Sequence, residues 1–120
     1  MTSETWVALI DTDQEAFYAG TVFRFPARWH YEDIVDYMLF SDNATAAPQL
    51  RIVVTTGCKS GFVTLVAGFP AQAYLPGKRA ICPSWLKTNW TEWIYADCEV
   101  QDVYVTPGYS TAEALPKRRR

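Results

Sequence analysis

Apolar positions recur along this chain at two periods. Across residues 83–95, PSWLKTNWTEWIY, the side chains of Leu86, Trp90, Trp93 and Ile94 fall where a helix would place them on one face. Lys87, Thr88, Thr91 and Glu92 fall on the other side. The spacing predicts an amphipathic helix that follows the Pro83-Ser84 turn and lies across a sheet, with Trp90 and Trp93 in the core. A buried tryptophan removes roughly 150–250 Å² from water, so this helix is the expected keystone of the core. Trp85 and Trp29 lie outside that stripe and are left free to be exposed. A second helical spacing, Tyr31, Ile34, Val35 and Met38, predicts a short helix over residues 30–39 with Glu32, Asp33 and Asp36 together on its wet side. Acids near its start suit the positive end of a helix dipole.

The other period is two. WVALI (6–10), TVFRF (21–25, stopped by Pro26), LRIVVTT (50–56), FVTLVA (62–67) and DCEVQDVYV (97–105) read as strands. The glycine-bounded GCKSG between the third and fourth is a hairpin loop. SDNATAAPQ (41–49) has loop composition, and residues 68–80 are heavily punctuated by Pro and Gly, with room for a short edge strand around Ala73. The order ββαββαβ predicts an α+β fold: a mostly antiparallel sheet of about five strands with two helices packed on it. Residues 1–109 form the expected single domain and residues 110–120 a flexible basic tail.

Composition adds one asymmetry. A hydrophobic share of 49% with 20% charged residues is that of a packed domain. The formal charge of −2 hides a body, residues 1–116, with thirteen acids against seven bases, because the chain ends Lys117-Arg118-Arg119-Arg120. That body carries −6, which favours a basic partner and disfavours a phosphate backbone. Three cysteines, Cys58, Cys82 and Cys98, without a Cys-x-x-Cys pair make neither a disulfide framework nor a zinc site. The first residues lack the basic and apolar regions of a signal peptide, and no run approaches a membrane span. The expected setting is a reducing cytoplasm without membrane contact.

Catalytic chemistry has little to build on. His30 is the only histidine and no nucleophile motif accompanies it, so a surface or capping role is the default. GCKSG lacks the spacing of a phosphate loop and precedes a strand. No catalytic residue, cofactor or metal ligand is expected. Two acidic groups remain: Glu32, Asp33 and Asp36 on the first helix, and Asp97, Glu99 and Asp102 around the last strand. With Trp85 they are the candidate docking surface for a cationic protein.

The stretches FPARWHYEDIVDYML (25–39), VTTGCKSG (54–61) and WLKTNWTEWIYADCEVQDVYV (85–105), closed by Gly108 and Tyr109, resemble the bacterial polymorphic-toxin immunity proteins, most closely immunity protein 45. In order and spacing they span residues 20–109. The resemblance implies a small cytosolic non-enzyme that binds and neutralises a cognate toxin, such as the C-terminal domain of a contact-dependent inhibition effector; many such toxins are basic nucleases. It carries over no catalytic residue and does not locate the interface. The competing reading is a small nucleic-acid or carbohydrate module that uses exposed tryptophans and the basic tail.

Overall fold

The computed structural model describes residues 5–43, 49–65 and 68–118. Six strands, β1 (Val7–Ala8), β2 (Val22–Pro26), β3 (Ile34–Asp42), β4 (Gln49–Val54), β5 (Val63–Thr64) and β6 (Tyr104–Thr106), pair antiparallel in the order β1-β6-β2-β3-β4-β5. Among the described residues one helical segment crosses a face of this sheet: α1 (Pro83–Asn89), continued without a break by a π-helical turn (Trp90–Ile94). The architecture is therefore α+β, with one more strand and one fewer helix than the hydrophobic pattern predicts.

The missing helix is the first one. Residues 34–42 form the longest strand of the sheet, at its centre. The helical spacing of Tyr31, Ile34, Val35 and Met38 coexists there with a period of two, and the latter wins. Val35, Tyr37 and Leu39 are buried on the helix-facing side, opposite Phe25, Phe23 and Ile52 respectively across the pairs β2·β3 and β3·β4. A strand held on both edges, with apolar groups to bury on one face and covered groups on the other, outweighs a weak local helix preference.

Other strands are shorter than the pattern suggests. Only Val7–Ala8 of residues 6–10 pairs, and Leu9–Asp11 turns away as a 3-10 helix with Leu9 in the core. β5 stops at Thr64 because Leu65 takes a positive φ of 52°; Val66 and Ala67 lie outside the described residues. Ala71–Ala73 is a 3-10 turn and not an edge strand. Within residues 97–105 only the end is β, since Val100–Asp102 is another 3-10 turn. The GCKSG segment does connect β4 to β5 as a hairpin, with the Gly61 amide bonded to the Val54 carbonyl at 2.7 Å.

The π turn explains a divided tryptophan stripe. The Tyr95 amide bonds to the Trp90 carbonyl at 3.1 Å, five residues back, so each residue advances through a smaller angle than in an α-helix. Trp90 stays buried, its ring 5.2 Å from Phe25 and 5.8 Å from Phe23. Trp93, predicted in the core, is rotated off that stripe and is 39% exposed. Leu86 remains buried and Ile94 half-buried beneath the helix.

Candidate functional site

Leaving the π turn, the chain folds back past the end of β2. Tyr95 ties the two segments together: its hydroxyl accepts the Arg28 amide at 2.9 Å while its ring packs on Phe25 at 4.9 Å. Cys98 is buried and pins the following loop to the core, which leaves its neighbours Asp97 and Glu99 exposed. The 3-10 turn Val100–Asp102 then presents Asp102 on the same side. The result is an open groove of about 500 Å³ between Pro26, Ala27 and Arg28 on one wall and Ala96, Asp97, Cys98, Glu99 and Asp102 on the other. All three acids expected around the last strand thus line one feature, with Arg28 facing them. The residue after Arg28 is Trp29, 87% exposed, its ring 5.5 Å from that of His30.

The thiol lining this groove is shielded. Burial, reinforced by the charges of Asp102 and Glu99, pushes the Cys98 thiol up to about 11, so it is protonated and a poor nucleophile near neutral pH. The carboxylates do not converge: among the described residues no three His, Cys, Asp or Glu side chains are grouped closely enough to hold a metal ion. The arrangement suits recognition of positive charge spread over a surface.

Beside the groove, and sharing Pro26 and Asp102 with it, is a second depression of about 250 Å³. Its remaining walls are Arg24, Phe25, Ile34 and Tyr104. Ile34 is 60% and Tyr104 48% exposed, which is high for large apolar groups in a sheet. The Arg24 charge is engaged elsewhere. Its Nε and Nη2 donate to the two Asp36 carboxylate oxygens at 2.8 and 3.0 Å, and the guanidinium lies 4.0 Å from the centre of the Trp6 ring.

The other predicted acids do not act together. Because residues 34–42 are a strand, Glu32, Asp33 and Asp36 do not share a helical face. Asp36 is wholly buried on the sheet face opposite α1, where it also accepts a 2.6 Å hydrogen bond from the Tyr109 hydroxyl. Burial and the Asp36 carboxylate push the Tyr109 phenol up to about 12. Thr55 Oγ1 lies 2.6 Å from the Tyr109 oxygen, and since Tyr109 gives its proton to Asp36, Thr55 is the donor in that pair. Glu32 and Asp33 are exposed; Glu32 accepts from the Cys58 thiol at 3.1 Å and from the Cys58 amide at 3.3 Å. Its carboxylate occupies the space a side chain on Gly57 would need, and Gly57 has a positive φ of 72°. Trp85 is half-buried, its ring 6.0 Å from Phe69 and 5.8 Å from Trp93.

The sequence pattern assigns Ile34 to a helical stripe and marks neither Arg28 nor Tyr104 as a site residue. An apolar residue directly after Glu32-Asp33, at the mouth of the β2–β3 hairpin, was the available signal for Ile34. Its false helical register concealed it.

The pattern of the family described as immunity protein 45 matches residues 9–105, a span that contains the groove and the depression. Neither a curated protein nor a solved structure matches the chain.

Proposed function

The chain belongs to the immunity protein 45 family, which gives it an immunity role and a toxin as partner, and on that premise we propose that it neutralises a basic toxin domain through the groove of Asp97, Glu99 and Asp102. The observation that carries this reading is the gathering of those three carboxylates on one open surface next to Trp29, the most exposed tryptophan of the described residues. Three acids facing a single Arg28 give the groove a negative field. In a body of charge −6, such a field steers a cationic protein toward it and raises association rates by about 10 to 10³ fold at low salt. Affinity then needs a desolvated anchor, and an exposed tryptophan is the residue type that most often supplies one. Asp36 is buried and engaged internally and makes no direct contact; Glu32 and Asp33 lie outside this groove and Trp85 is partly covered, so these three contribute at most to the rim.

Inhibition on this reading is steric and non-enzymatic. The protein covers the active site or the substrate-binding face of the toxin in the cytoplasm of the protected cell, as suits contact-dependent inhibition. A basic nuclease fits best, because the acidic groove competes with the phosphate backbone for the same cations. The competing tryptophan platform is weakened by Trp90 being in the core and by Trp85 and Trp93 packing on each other.

The test is coexpression with the toxin domain encoded by the adjoining reading frame. Growth should be restored and a complex should survive purification. Growth arrest without a complex would overturn the reading.

A further inference from the structure

We infer that the depression formed by Arg24, Phe25, Pro26, Ile34, Asp102 and Tyr104 is the anchor pocket of the toxin interface, and that it receives one apolar side chain from a cationic segment of the toxin. The inference rests on the function proposed above and assigns the other half of the same surface.

Size fixes the kind of occupant. At about 250 Å³ the depression is smaller than the ~300–1,000 Å³ of sites that enclose a small-molecule ligand, yet it can hold one large side chain. Its chemistry is that of an anchor site. Ile34 and Tyr104 project from the ends of β3 and β6, flank Pro26 and the stem of Arg24, and leave apolar surface exposed on a rigid sheet. Anchors of protein interfaces occupy such places, where a pocket that needs no reorganisation is filled and dried.

Charge fixes the character of the segment that carries the anchor. The one cation in the walls, Arg24, has its charge balanced by both oxygens of Asp36 and one face against the Trp6 ring, so it adds no net positive charge to repel a cationic partner. The opposite rim is Asp102, which the depression shares with the acidic groove. A toxin segment seated here therefore has an apolar residue in the depression and its neighbouring lysine or arginine against Asp102, with Glu99 and Asp97 beyond. The two features act as a single footprint, the depression supplying adhesion and the groove supplying orientation.

The experiment measures binding of the toxin domain whose growth arrest the protein relieves, by calorimetry at several salt concentrations. Ile34→Ala and Tyr104→Ala should each weaken binding by about 30-fold or more while leaving the salt dependence as in the parent, because no charge changes. Both positions are exposed, and an unchanged melting temperature shows that the fold is kept. Ile34→Arg should bind more weakly than Ile34→Gln, since it sets a cation against the cationic segment. Binding within about twofold of the parent for both alanine variants would show the depression to be empty in the complex and overturn the inference, leaving the groove reading intact. Equal affinity of Ile34→Arg and Ile34→Gln would overturn the cationic segment. A toxin that the parent protein does not bind at all would overturn the proposed function itself.

Discussion

Removing the Asp36 carboxylate would strip the Arg24 guanidinium of its bidentate partner and leave the Tyr109 hydroxyl without its acceptor. Breaking such a pair by one-sided deletion costs about 3–5 kcal/mol when both ions are buried, and less here because the Arg24 side chain is 40% exposed. Asp36→Ala should therefore lose about 2–3 kcal/mol in denaturant unfolding. Tyr109 reports on the same cluster. Its folded value of about 12 lies above the unfolded value near 10, so its contribution is complete below pH 10 and is lost as the pH rises through 12. Stability measured from pH 10 to 12 should fall less steeply in Tyr109→Phe than in the parent. The cysteines give a third check. Burial protects Cys98; the Glu32 carboxylate accepting the Cys58 proton raises that thiol; hydrogen bonds from the Ser84 hydroxyl and from backbone amides lower Cys82. Alkylation should accordingly run fastest at Cys82 and slowest at Cys98, and Glu32→Gln should speed it at Cys58.

Among the elements, the helical segment and β3 show where a sequence pattern is decisive and where it is not. The stripe of Leu86 and Trp90 is legible because both residues precede or begin the π turn. Trp93 is misread because the switch from α to π hydrogen bonding at Trp90–Ile94 changes the period within the same run. Trp90→Ala should therefore cost about 3–5 kcal/mol and Trp93→Ala within about 1 kcal/mol, measured by urea unfolding. β3 is ambiguous for a different reason. Ile34, Val35 and Met38 fit a helix, whereas Val35, Tyr37 and Leu39 fit a strand, and only the partners β2 and β4, distant in sequence, decide between them. The hairpin at Gly57–Lys59 was readable because turn chemistry is local. The acids of residues 97–102 were readable as a group although their strand was not, since a loop pinned by Cys98 gathers them as well as a strand would.

For the whole molecule, charge and shape divide the surface. One sheet face is closed by α1 and its π turn; on the other, Trp6 and Tyr109 close over the Arg24 and Asp36 pair. The acidic groove and the apolar depression adjoin at the corner where β2, β3 and β6 meet the 3-10 turn. Nothing in the order of residues announces that corner, because Pro26, Ile34 and Tyr104 become neighbours only through strand register. The basic tail stands apart from it in sequence: Leu115 is 90% exposed, and residues 111–118 have no regular structure. In the proposed complex, Asp97, Glu99 and Asp102 form the electrostatic half of the toxin interface. The decisive measurement of that role is the toxin affinity of the triple variant Asp97→Asn, Glu99→Gln, Asp102→Asn as a function of salt. The variant should bind more weakly at low salt, with a shallower salt dependence than the parent, and the two affinities should converge as the Debye length shrinks from ~10 Å at 0.1 M toward ~3 Å at 1 M. An affinity and a salt dependence equal to those of the parent would contradict it.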